Sequence, residues 1–247
     1  MEHIATSIAG VCLASLFVLY LGRRTSQVND PRLQGQILPA IAFDFGHWLL
    51  GTVVPVFRYL RMTPNLLSFL SVPMSMSAAG AIATGHFALG GVLLMVAFSL
   101  DACDGALARA LGIASAAGEA VDAMVDRYND VIVMMGFLYY FRGELLPWLI
   151  GAAALIGTVA VSYIRAKGAS LGVDTDLGCM QRHERAVWLT VATVVAPTLA
   201  SIVEEPSSHP AHYAVIVALA AVAIGTNITA VRRAHFVFGT LDTRHEE

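Results

Sequence analysis

Four aspartates stand in apolar surroundings within one short stretch: Asp101, Asp104, Asp122 and Asp126. An ionised Asp at bilayer depth costs about 2.5–3.5 kcal/mol on insertion scales, so four of them in membrane-type sequence mark a functional site and require a cation. Their spacing says how they meet. Asp101, Asp104, Gly105 and Ala108 fall at i, i+3, i+4 and i+7, one face of a helix, and Gly118, Asp122 and Asp126 fall at i, i+4 and i+8 of a second. A turn near Gly112 to Ser115 lets the two faces oppose each other and concentrates oxygen ligands on a shared centre. Hard divalent cations take such ligands, and Mg²⁺ is usually shared between a few carboxylates and substrate phosphates. The glycines on these faces leave room for a ligand to approach the backbone, and Arg109 adds a charge suited to a phosphate.

The elements that must position these residues are membrane helices. Of 247 residues, 57% are hydrophobic and only 13% charged, and the mean hydropathy is +0.68. That composition excludes an ordinary soluble domain and gives an all-α, polytopic membrane bundle. The net charge of −3 decides little, and no basic block points to nucleic acid. Cys12, Cys103 and Cys179 are widely spaced without a metal-binding pattern; they read as small apolar fillers, with Cys179 the most exposed thiol.

Residues 4–21 form an apolar run closed by Gly22, Arg23 and Arg24. The run lacks the leading positive charge and trailing small-residue site of a secretory signal, so residues 1–24 are expected to be a retained membrane anchor. A polar linker follows. Residues 43–62 mix Trp48, Phe57, Tyr59, Arg58 and Arg61 with aliphatics, the composition of an amphipathic helix at the interface, with an ordinary span as the alternative. Thr63-Pro64-Asn65 is a helix-entry signal. Six core helices are then drawn within a domain of residues 63–234: 65–84, 86–110, 116–141, 146–167, 185–203 and 213–233, followed by a tail, 235–247. Outside the two motif helices, Lys and Arg cluster at one set of helix ends, with Arg142 the single exception. By the positive-inside rule that side is cytoplasmic, so the motif opens to the cytoplasm and the amino terminus lies outside.

Asp101, Asp104, Gly105, Ala108, Arg109, Gly118, Asp122 and Asp126 reproduce, position for position, the signature of the CDP-alcohol phosphotransferases. The resemblance implies an integral membrane enzyme of bacterial or archaeal type that moves a phosphatidyl group from a CDP-linked lipid such as CDP-diacylglycerol to an alcohol and releases CMP. It implies that Asp101, Asp104, Asp122 and Asp126 hold one or two Mg²⁺ or Mn²⁺ ions, with Asp126 also the general base. Gly105, Ala108, Arg109 and Gly118 would shape the CDP-lipid site, with Pro64 and Asn65 at its rim. A homodimer among membrane lipids is a further implication. Asp130 continues the motif face one turn beyond Asp126 and is read either as a support for the cluster or as a structural partner of Arg127. The histidines are read as solvated (His209, His212) or interfacial (His47, His86, His235), not as ligands.

A second polar group, Arg165 and Lys167 followed by Arg182 and Arg185, is similar to segments of prokaryotic phosphatidylinositol-phosphate synthases and related phosphatidylglycerophosphate synthase-like members. It departs from them at Lys167, Gly168, Ala169 and His183. The resemblance makes these four cations an acceptor pocket for a phosphorylated polyol, inositol phosphate or glycerol phosphate; interfacial snorkelling is the plain reading. Competing readings are a non-phosphorylated acceptor (inositol, serine, choline or ethanolamine), a cation channel or transporter, and a silent relative. The chain has no visible inverted repeat, and its Asp set is intact, which weighs against the last two.

Overall fold

The computed structural model describes residues 40–245 apart from 176, 179, 206 and 208. The expected anchor, the polar linker, Cys12 and Cys179 lie outside the described residues. Seven α-helices follow one another: α1 (Ala40–Tyr59), α2 (Pro64–Ala83), α3 (Phe87–Leu111), α4 (Ala116–Tyr140), α5 (Leu145–Ser170), α6 (Arg182–Val203) and α7 (Tyr213–His245). Among the described residues there is no strand. Five of the helices, α2, α3, α5, α6 and α7, are long and apolar enough to cross a membrane. α4 is as long as α3 but carries Glu119, Asp122, Asp126, Arg127 and Asp130 in its first four turns. The chain is an integral membrane protein with an all-α fold.

Local chemistry sets the boundaries. Thr63 caps α2 by accepting from the Leu66 N–H (3.3 Å), with Pro64 in the first turn, where its missing N–H is no loss. α3 stops at Gly112, whose φ of +67° is the left-handed cap that favours glycine. Ser115 caps α4 by accepting from the Gly118 N–H at 3.1 Å. The turn between the motif helices is therefore the one the spacing predicts. At the C-terminal end the structure differs: α7 continues to His245 rather than stopping near Arg233. A pair of arginines marks a polarity change but does not break a helix, and Arg233 turns inward, donating to the carbonyl oxygens of Leu177 (2.6 Å) and Val161 (3.3 Å). His212 also departs from the solvated reading: it is buried against the Phe87 ring, 4.0 Å between centroids.

Lipid tails are as apolar as leucine, so the bundle is held by close packing rather than by exclusion of water. α2 packs along both α3 and α4, α3 along α6, and α5 along α7. A core of Phe87, Leu94, Met134, Phe137, Phe141 and Leu219 fills the end of the bundle away from the aspartates. At the other end α1 lays Val54 and Phe57 against Leu67, Cys103 and Leu107 and so covers the back of the motif helix. Gly136 lets α4 touch the α2 backbone: a Cβ there would sit 2.7 Å from the Ala79 carbonyl oxygen. Gly136→Ala is therefore expected to destabilise the bundle by about 1–3 kcal/mol. Gly80→Ala, on a helix face with nothing within 4 Å, is the control and is expected to be neutral or slightly stabilising. Thermal unfolding in detergent reads the difference, and equal tolerance of the two changes would contradict the close approach.

Candidate active site

α3 and α4 are neighbours in sequence yet make few backbone contacts, because α2 packs against both and the gap at the polar end is bridged by side chains. Asp101 projects from α3, and Asp122 and Asp126 from successive turns of α4. Each offers one carboxylate oxygen, and the three oxygens lie within 4.8 Å of one another. Asp101 is buried, while Asp122 and Asp126 are half-buried. Three carboxylates this close suit one divalent ion and repel each other without a positive charge.

Asp104 lies outside that trio. Its Oδ2 accepts from the buried Ser68 hydroxyl of α2, and its Oδ1 from the Gly105 N–H at 2.5 Å.

The positive charge comes from the start of α6. Gln181 and Glu184 form a capping box, the Gln181 N–H donating to Glu184 Oε2 at 2.8 Å, and Glu184 is fully buried. This fixes the first turn, and Arg182 and Arg185, three residues apart, share its inward face. Arg182 donates to both oxygens of Asp101, with Nη2 to Oδ1 at 3.0 Å and Nη1 closer still to Oδ2. Its Nη1 also pairs with Asp126 Oδ1 at 2.9 Å, and its Nε stands 3.8 Å from Asp130 Oδ1. Arg185 Nη2 donates to Asp130 Oδ2 at 2.9 Å. Asp130 thus supports the cluster through α6. It is not the partner of Arg127, which donates to the Ala123 carbonyl oxygen (2.9 Å) and lies 3.9 Å from Asp126. The buried arginine of the neighbouring helix reaches Asp130 where the outward-tilted Arg127 does not.

Of the four cations grouped in the sequence, the structure brings Arg182 and Arg185 into the carboxylates, while Arg165 and Lys167 stand exposed near the end of α5. The loop between α5 and α6 is tied to α7 by the Arg233 contact with Leu177 and by Gly178 (φ +135°), which sits against Thr229. Gly105 and Gly118 are not demanded by internal packing. A Cβ at either would meet only a side-chain end, Arg109 Nη1 or Ser115 Oγ, each at 3.3 Å. That leaves space beside both backbones. Ala108 is half-buried and Arg109 exposed, one turn beyond Gly105; Pro64 and Asn65 open the helix whose Ser68 reaches Asp104.

Sequence reasoning missed the serine stripe of α2. Ser68 bonds Asp104, Ser71 Oγ donates to the Ser68 carbonyl oxygen (2.7 Å), and Asn129 Nδ2 of α4 donates to Ser71 Oγ (2.7 Å). Ser68, Ser71 and Ser75 recur at three and four residues on a largely apolar helix, a polar stripe that the spacing alone displays.

A membrane bundle that gathers carboxylates and arginines at one end has the donor set of a cation-assisted enzyme for phosphorylated substrates. Residues 61–226 match the model of the CDP-alcohol phosphatidyltransferase family, and the chain belongs to that family of metal-dependent transferases. It is similar to the archaetidylinositol phosphate synthase of Pyrococcus horikoshii, 33% identical over 136 residues that cover 55% of this chain and 71% of the relative. It is also similar to the phosphatidylinositol phosphate synthase of Corynebacterium glutamicum, 30% identical over 179 residues, 70% of this chain and 77% of the relative. In fold it resembles the phosphatidylinositol phosphate synthase of Mycobacterium tuberculosis with CDP-DAG bound, at TM-score 0.66 and 23% identity, covering 76% of this chain and 93% of the other. The Mycobacterium protein has also been solved in complex with manganese and citrate.

Proposed function

We propose that the chain transfers a phosphatidyl-type group from a CDP-linked lipid, CDP-diacylglycerol or a close analogue, to a hydroxyl of inositol phosphate, with release of CMP. The observation that carries the acceptor class is Arg182. The planar guanidinium fork that suits phosphate stands partly exposed beside Asp126, the proposed base, where the acceptor hydroxyl must sit. The names of the Pyrococcus and Corynebacterium relatives support the same acceptor.

In this reading the acceptor oxygen attacks the lipid-bearing phosphorus, the phosphorus–oxygen bond to CMP breaks, and CMP leaves with the bonding electron pair. Asp126 takes the acceptor proton. The donor set fits a divalent cation, which Asp101, Asp122 and Asp126 would hold, with Asp104 one turn from Asp101 on the same helix. Bound there, the ion neutralises the diphosphate and the charge that develops on the departing CMP. The chain's own work is positioning. The Ser115 cap and Gly112 turn set α4 against α3, Ser68 holds Asp104, and the capping box aims Arg182. Gly105 and Gly118 admit the nucleotide beside the backbone, flanked by Ala108, Arg109, Pro64 and Asn65. Arg165 and Lys167 extend the basic surface at the mouth. The site faces the cytoplasm, the side on which the helix-end cations gather, with the amino terminus outside; two copies associate in the membrane, as the family resemblance implies.

CMP release tests this with purified protein in lipid, CDP-diacylglycerol, Mg²⁺ or Mn²⁺, and one acceptor at a time. Inositol phosphate is expected to give the fastest release, and Arg182→Gln to cut the preference for it over inositol by roughly tenfold, the worth of one weakened charge-assisted contact. Equal or faster release with inositol, serine or choline would overturn the acceptor assignment, and preference for glycerol phosphate would correct its identity.

A further inference from the structure

Arg182 and Arg185 enter the same carboxylate group but are built differently. Arg185 is buried and holds Asp130 alone. Arg182, the first residue of α6, keeps 28% of its side chain exposed while using both oxygens of Asp101 and Oδ1 of Asp126. Its Nε has no hydrogen-bond partner. Asp101 and Asp126 are also two of the three residues whose oxygens converge for a divalent ion. A guanidinium and a divalent cation cannot share these atoms at contact distance without strong mutual repulsion. If Arg182 leaves, Asp130, 3.8 Å from its Nε, still has Arg185, so close contacts are lost only at Asp101 and Asp126, which the ion uses. The route out is toward solvent, since the residue opens its helix and is already partly exposed.

We infer that Arg182 is an exchangeable counter-ion, displaced from Asp101 and Asp126 when a divalent cation binds and thereby released toward the mouth of the site to receive the acceptor's phosphate. Metal loading then precedes and strengthens acceptor binding. This coupling avoids both an unneutralised carboxylate trio before loading and an arginine wasted on Asp101 afterward. The second half rests on the phosphorylated-acceptor reading; the exchange itself does not.

Neither test needs turnover or an acceptor. The first labels the full chain in lipid nanodiscs with phenylglyoxal and follows the Arg182 and Arg185 adducts by peptide mass spectrometry, with and without Mg²⁺. Mg²⁺ is expected to speed modification of Arg182 several-fold and to leave Arg185 unmoved; an Arg182 rate that is unchanged or slowed by Mg²⁺ overturns the exchange. The second measures Mn²⁺ binding by the loss of the free-ion electron paramagnetic resonance signal. Arg182→Gln is expected to bind Mn²⁺ roughly tenfold more tightly than the unaltered chain, as removal of a competitor requires. Equal or weaker binding would contradict the proposal. Should that variant fold poorly, the labelling of the unaltered chain decides. Because both readouts omit the acceptor, their failure leaves the acceptor panel standing, and failure of the panel leaves them intact.

Discussion

Asp126→Asn is expected to lower CMP release by about 10²–10⁴-fold, the usual worth of a positioned general base, while leaving the protein folded and able to bind CDP-lipid. Asn keeps the shape of Asp, so the fit of α4 against the Arg182 side chain survives. It cannot take the acceptor's proton, and it removes one of the three convergent oxygen charges. The ion pair of Arg182 with Asp126 Oδ1, at 2.9 Å, is lost, but Asp101 still holds that arginine with two bonds. The measurement is CMP release at saturating CDP-diacylglycerol alongside a binding assay for the lipid. Turnover within a few-fold of the unaltered enzyme would remove Asp126 from the reaction; loss of lipid binding as well would place its role in holding the ion and the donor rather than in taking the proton.

Arg185→Met is expected to cost about 3–5 kcal/mol of stability, the typical penalty for removing one member of a buried ion pair. The reason lies less in the lost bond than in what remains. Asp130 would keep its charge with only the more distant Arg182 Nε, at 3.8 Å, as compensation. Pairing the change with Asp130→Asn removes the stranded charge, so the double variant is expected to recover most of the loss. Thermal unfolding of the single and double variants in the same detergent reads this. A double variant no more stable than Arg185→Met would show that Arg185 matters for packing rather than for its partner.

Much of the site is legible before any fold is known because helical spacing is a geometric statement. Asp101 and Asp104, then Asp122 and Asp126, had to share faces, and the Gly112 to Ser115 turn carries its own chemistry, a left-handed glycine and a hydroxyl cap. The helices between 63 and 234 follow from apolar run length, with boundaries within three residues except at the end of α7, which runs on to His245; α6 opens at Arg182, set by the Gln181 and Glu184 box, rather than at 185. Tertiary choices were not legible. Nothing in the spacing says that Asp104 turns to Ser68, that Asp130 prefers Arg185 to Arg127, or that Arg182 points into the aspartates rather than out to a substrate. Each depends on which helix packs beside which, and α2 lying between α3 and α4 is a fact of the bundle, not of any one segment. Arg233 shows the same limit: its charge marks a membrane edge in the sequence, while in the fold it pins the loop that leads into Arg182.

The reaction proposed for the chain is cation-dependent transfer from a CDP-linked lipid to a phosphorylated alcohol. Its most direct test is one reaction: purified protein in lipid, CDP-diacylglycerol and inositol phosphate, with CMP and the phosphorylated lipid product quantified before and after chelation of divalent cations. CMP and product are expected in equal amounts, with loss of both on adding chelator and recovery on adding back Mg²⁺ or Mn²⁺. CMP release that persists in chelator, or folded protein that fails to bind CDP-diacylglycerol at all, would contradict it.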